Sequence, residues 1–72
     1  MDDQPTTLWT LGRDGRTVAC RARLMPYGIE IDIACDGQAI VTRVFATGEE
    51  ALAWAETKRA NREARGWQSG EV

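Results

Sequence analysis

The side chains with most to offer a reaction are the thiols Cys20 and Cys35, the single serine Ser69, and the closely spaced carboxylates Glu30 and Asp32. A serine or cysteine nucleophile needs a neighbouring base, and a hydrolytic carboxylate pair needs one member held protonated. The 72 residues contain no histidine, so the commonest general base and metal ligand is missing. The two cysteines have neither CxxC spacing nor histidine partners, which speaks against a zinc site. No Walker or Rossmann glycine pattern is present, since Gly12 and Gly15 belong to a hairpin. The sequence therefore points away from an enzyme, with no catalytic residue, metal or cofactor assigned and no small-molecule substrate evident.

Composition narrows the remaining classes. A chain of this length makes one small domain, burying roughly 60% of the surface its unfolded form exposes. Nine basic residues against eleven acidic ones leave a net charge of −2, an unusual balance for a freestanding nucleic-acid binder. No apolar run approaches the length of a membrane span, and Met1-Asp2-Asp3-Gln4-Pro5 lacks the hydrophobic segment of a signal peptide. The expectation is a soluble, cytoplasmic protein with reduced thiols and no membrane partner.

Stepping from side chains to backbone, Asp14-Gly15 and Asp36-Gly37 each open the pattern D-G-x-x-(V/I)-x-x-R. Asp-Gly between alternating apolar residues signals a tight hairpin, because a type I′ turn needs positive φ at both central positions. The first turn pairs Leu11 with Val18, Trp9 with Cys20, Thr10 with Ala19 and Leu8 with Arg21. The loop Met25-Pro26-Tyr27-Gly28 pairs Ala22 with Ile31, Cys20 with Ile33, Val18 with Cys35, Arg23 with Glu30 and Arg21 with Asp32. The second turn sets Ile33 opposite Ile40, Ile31 opposite Thr42 and Ile29 opposite Val44. All three registers then send one set of side chains to one face: Trp9, Leu11, Val18, Cys20, Ala22, Leu24, Ile29, Ile31, Ile33, Ile40 and Val44. Side chains alternate with period two, so a one-residue slip in any hairpin would break this agreement.

A cover for that face follows. Thr47 and Glu50 form a capping box, Ala51, Leu52 and Ala55 make an apolar stripe bordered by Trp54, and Gly66 is a left-handed stop with Trp67 placed to close a Schellman ending. The expected fold is α+β: a four-stranded antiparallel meander with one C-terminal helix on one face, ββββα. Residues 6–67 form the domain, with frayed tails at 1–5 and 68–72.

Surfaces carry the functional expectations. The outward sheet face is expected to show Leu8, Val41 and Phe45 among Arg21, Arg23, Arg43, Glu30 and Asp32, with Glu30 lying between Arg23 and Arg43. An apolar patch rimmed by charge marks an interface, so Leu8, Val41, Arg43 and Phe45 are the candidate contact residues. Lys58, Arg59, Arg62 and Arg65 crowd the last turns of the helix, where cations suit its dipole. With Arg21, Arg23 and Arg43 they form the candidate nucleic-acid contact set. Cys20 and Cys35 share the inward face as diagonal neighbours, a geometry that suits packing better than a disulfide, with no basic neighbour expected on that face to activate a thiol.

The run from Leu8 to Trp67 resembles short uncharacterised bacterial proteins that end a small meander with an "EEALAWA…GW" helix, here Glu49 to Ala55 and Gly66-Trp67. In topology alone the ββββα order also resembles PUR-repeat and Whirly-type single-stranded nucleic-acid binders. That second resemblance implies binding by a curved sheet face with basic and aromatic residues, often in a dimer, with Arg21, Arg23, Arg43 and Phe45 as the matching types. Glu30 and Asp32 offset those arginines, and one aromatic on that face offers little stacking. The preferred expectation is thus a non-enzymatic interaction domain, a homodimer or a binder of another protein, joined through the outward face or the open edge Ala39–Phe45. The alternative is a single-stranded DNA or RNA binder.

Overall fold

Both Asp-Gly dipeptides adopt the backbone their chemistry demands. Asp14 and Gly15 sit at φ 53° and 79°, and Asp36 and Gly37 at φ 53° and 87°. The computed structural model describes residues 5–69, so of the tails expected at 1–5 and 68–72 the parts 1–4 and 70–72 lie outside the described residues. The chain runs through β1 (Thr6–Arg13), β2 (Arg16–Met25), β3 (Gly28–Cys35), β4 (Gln38–Phe45), α1 (Gly48–Glu63) and β5 (Gln68–Ser69). The four long strands form an antiparallel meander, and the helix follows them as expected. The sheet order is β4-β3-β2-β1-β5.

The two central ladders match the expected register from Val18 opposite Cys35 to Leu24 opposite Ile29, and from Trp9 opposite Cys20 to Arg13 opposite Arg16. Two bulges alter the rest. Thr7, not Leu8, lies opposite Arg21, and the next partners are Trp9 and Cys20. Leu8 is the extra residue, and it packs at the margin of the core instead of joining the outward face. In β4 the ladder passes from Ala34 opposite Ala39 to Ile33 opposite Val41, leaving Ile40 as the extra residue. Ile31 then meets Arg43, and Ile29 meets Phe45. A bulge sets two residues against one and so reverses the facing of everything beyond it. Val41, Arg43 and Phe45 therefore lie on the helix side, whereas Thr42 and Val44 lie outward. This corrects the expected placement of all five.

The reason for the slip is visible in the packing. Phe45 is half-buried against the core, and its ring centroid lies 5.6 Å from that of Trp54 on α1. The regular register would instead offer Val44 to this position and turn the phenyl ring to water. Bulk thus decides the register, since burying a phenyl group stabilises by roughly 1.5–3 kcal/mol relative to exposing it.

The core consists of Leu11, Val18, Cys20, Ile31 and Ile33 from the sheet under Ala51 and Ala55 of the helix, with Leu8, Trp9, Ala22, Ile29, Phe45, Trp54 and Trp67 around it. Alanines let the helix approach closely. Leu52, expected in the apolar stripe, is exposed, and Leu24 is 83% exposed at the far end of the β2–β3 hairpin. The helix begins as expected, with the Glu50 N–H donating to Thr47 Oγ1 at 3.2 Å. It ends with the Gly66 and Trp67 N–H groups returning to the carbonyls of Glu63 and Arg62 at 3.0 and 3.1 Å. Gly66 at φ 96° supplies the left-handed residue this Schellman ending requires. The turn aims the chain back along β1, where Gln68 and Ser69 pair with Gly12 and Leu11. These two residues, expected in a frayed tail, are a short fifth strand.

Candidate interface at the open strand edge

One side of the sheet is closed over part of its length by β5, and the other is not. Among the described residues β4 hydrogen-bonds to β3 alone, and every residue from Gln38 to Val44 is exposed. Ile40, Val41 and Val44 are 52%, 39% and 49% exposed. An edge strand offers a row of unpaired N–H and C=O groups, and proteins usually guard it with proline, lysine or a bulge. β4 contains no proline or lysine, one charge (Arg43), and one bulge, at Ile40. Because of that bulge its apolar groups are split: Val41 lies on the helix side and Val44 on the outward side.

The helix flank overlooking β4 is aromatic and cationic. Trp54 rests on Phe45, and Lys58 Nζ lies 5.2 Å from the Trp54 ring centroid. At the end of the helix, next to the residues that lead into β5, the Arg62 guanidinium lies 5.4 Å from the Trp67 ring. A cation over an indole face is held by the ring quadrupole, so these charges also order the tryptophans beneath them. The opposite flank of α1 differs. There Leu52 and Arg59 border a shallow depression with Leu8 and Trp9, and Arg59 is bound by Glu56 and by Glu63 at 2.8 Å.

The candidate contact set Leu8, Val41, Arg43 and Phe45 is thus not an outward patch. Leu8 is the bulged residue of β1, near Leu52 and Arg59 of α1, whereas Val41, Arg43 and Phe45 line the helix side of the open edge. The residues missed from sequence are Ile40 and Val44, expected inside and found exposed. A signal for both bulges existed: each falls within a pair of adjacent large apolar residues, Leu8-Trp9 and Ile40-Val41. Alternation alone cannot turn two neighbours to one side, and an extra residue can.

The candidate nucleic-acid residues are dispersed. Arg21 and Arg23 lie on the outward face, Arg43 on the helix side of β4, and Lys58, Arg59, Arg62 and Arg65 along α1 and its end. Arg23 pairs with Glu30 at 3.8 Å, but Arg43 is across the sheet from that carboxylate, so the expected Arg23–Glu30–Arg43 ladder is not formed. Asp32 stands opposite Arg21 and accepts instead from Thr42 Oγ1 at 2.7 Å. Without Leu8, Val41 and Phe45 the outward face presents mainly threonine, alanine and these ions. An antiparallel sheet covered on one side commonly leaves such a face to water.

The thiols are both free. Cys20 is fully buried, and burial, with a smaller effect of Asp32, pushes its thiol up to about 11. Cys35 does have a basic neighbour, contrary to expectation: Arg16 Nη2 lies 3.6 Å from its sulfur. That guanidinium is shared with Asp36, which Arg16 Nε approaches at 3.2 Å. The Asp36 carboxylate also accepts the Thr17 N–H at 3.0 Å, and the backbone hydrogen bond followed by Arg16 holds its pKa below the ordinary value. The trio Arg16, Asp36 and Thr17 locks the two Asp-Gly turns together at one end of the sheet. Among the described residues no group of three or more His, Cys, Asp or Glu side chains converges as a metal site, and no helix is long and apolar enough to cross a membrane.

Comparison with protein-family models, with curated proteins and with solved structures finds no match to this chain.

Proposed function

We propose that this domain is a non-enzymatic interaction module that self-associates through the open edge of β4. The observation that carries this reading is the edge itself: a strand paired on one side only among the described residues, exposed from Gln38 to Val44, with Val41 and Val44 uncovered on its two faces. Adding a strand there would satisfy the free backbone groups and cover those apolar side chains together. The shallow core supports the same reading, since three of its eight buried residues are alanines and association would bury more apolar surface. A nucleic-acid role draws less support, because the basic residues are divided between two faces and Arg23 and Arg59 already have carboxylate partners.

Light scattering on a concentration series tests the proposal. The expected mass at high micromolar concentration is twice the 8.0 kDa of the chain. Val44→Lys, which places a charge on the edge without touching the core, is expected to give the single-chain mass with an unchanged circular dichroism spectrum. A wild-type chain that remains monomeric at that concentration overturns the reading.

A further inference from the structure

We infer that the partner at this edge is a second copy of the chain, joined β4 to β4 in antiparallel fashion about a two-fold axis passing at Thr42. The inference rests on the self-association reading above and adds its geometry. A closed pair of identical strands must present the same groups to each other, which an antiparallel ladder does and a parallel one, with its offset bonding, does not. The axis then stands perpendicular to the sheet and keeps both helices on one side. Directly opposed residues must share a face, so the axis falls at a residue and not between two.

Of the five residues that follow the bulge in regular alternation, Phe45 ends the strand, and three of the remaining four are disfavoured as the axis. An axis at Arg43 sets two guanidinium groups directly opposite each other, and like charges so placed are destabilising. One at Val44 leaves only Arg43, Val44 and Phe45 to pair before the strand ends. One at Val41 brings Thr42 against the bulged Ile40 on both sides. An axis at Thr42 avoids the like-charge contact, pairs Val41 through Arg43 regularly and meets the bulge only at the outer positions. Val41 then lies opposite Arg43 of the second copy, whose aliphatic stem covers the valine while its charged head reaches water. Val44 lies next to the second copy's bulge, so the exposed Ile40 and Val44 cover one another. Thr42 opposes itself, a favourable cross-strand pair, with its hydroxyl already oriented by the bond to Asp32.

Disulfide trapping reads this register directly. In a Cys35→Ser background, single cysteines are introduced as Thr42→Cys, Arg43→Cys and Val44→Cys, and dimer formation under mild oxidation is followed on non-reducing gels. Thr42→Cys is expected to cross-link several-fold faster than the other two. A second measurement avoids cysteine: Val41→Glu is expected to remain dimeric by light scattering, paired with Arg43 of the second copy, whereas Val41→Lys becomes monomeric. A dimeric wild type whose cross-linking is fastest at another position, or whose Val41→Glu and Val41→Lys forms behave alike, overturns the Thr42 axis and leaves self-association standing. A monomeric wild type overturns both.

Discussion

The indole N–H of Trp9 donates to the carbonyl oxygen of Ala55 at 3.0 Å, tying the first strand to the middle of the helix. Trp9 reaches that carbonyl because the first Asp-Gly turn sets it opposite the buried Cys20, on the helix side of β1. A helical carbonyl has a second lone pair beyond its ladder bond, so the contact adds to the helix without competing with it.

Trp9→Phe preserves most of the packing and removes this bond. The expected loss is about 1 kcal/mol, the usual net contribution of such a hydrogen bond. Urea unfolding should show a lower midpoint at unchanged slope. An unaltered midpoint would mean that the indole serves as bulk alone.

Deleting Ile40 should be tolerated, because it removes the bulge and leaves Val41 opposite Ile33 and Phe45 opposite Ile29. Removing Thr42 as well should not be, since no extra residue is left to absorb the second loss and Phe45 is forced outward. We expect the first deletion to cost less than about 1.5 kcal/mol and the second at least about 3 kcal/mol, the scale of losing a buried aromatic. Thermal unfolding of the two variants checks the contrast, and equal losses would refute the account of the bulge.

Gly28 and Gly15 both have positive φ, at 149° and 79°, but their surroundings differ. A Cβ at Gly15 meets open space, whereas one at Gly28 would overlap the carbonyl oxygen of Phe45. Gly15→Ala should therefore cost only backbone strain, about 1–2 kcal/mol. Gly28→Ala should cost more than Gly15→Ala by denaturant titration. The reverse ranking would show that the chain end after β4 yields easily.

Alkaline pH should weaken the fold through Cys20. Its thiol is raised in the folded state from an ordinary value near 9.0 to about 11. Below pH 9 the proton is held in both states and stability is complete. Between about 9 and 11 the unfolded chain releases a proton that the folded chain keeps, so stability falls as pH rises. Unfolding free energy measured across this window should slope downward less in Cys20→Ala than in wild type. Identical slopes would remove Cys20 as the cause.

By itself the sequence determined whatever depends on neighbours along the chain. Asp14-Gly15 and Asp36-Gly37 specified their turns through positive φ, Thr47 and Gly66 bounded the helix through its unpaired N–H and C=O groups, and the turns carried the register of β1, β2 and β3 outward from their ends. The open edge at β4 was legible for the same reason, since a meander must end somewhere. The facing of β4 was not legible. Ile40, Thr42 and Val44 alternate as convincingly as Val41, Arg43 and Phe45, and the adjacent Ile40-Val41 marks where a bulge can fall without saying which set faces the helix. Tertiary structure decided between them: Trp54, nine residues past Phe45 in the chain, packs against that ring, and the strand extrudes Ile40 to deliver it. The same decision dissolved the expected outward apolar patch and moved Val41 and Arg43 to the helix side of the edge. Turn chemistry is a property of adjacent residues, whereas a bulge is chosen by what the far side of the strand must touch.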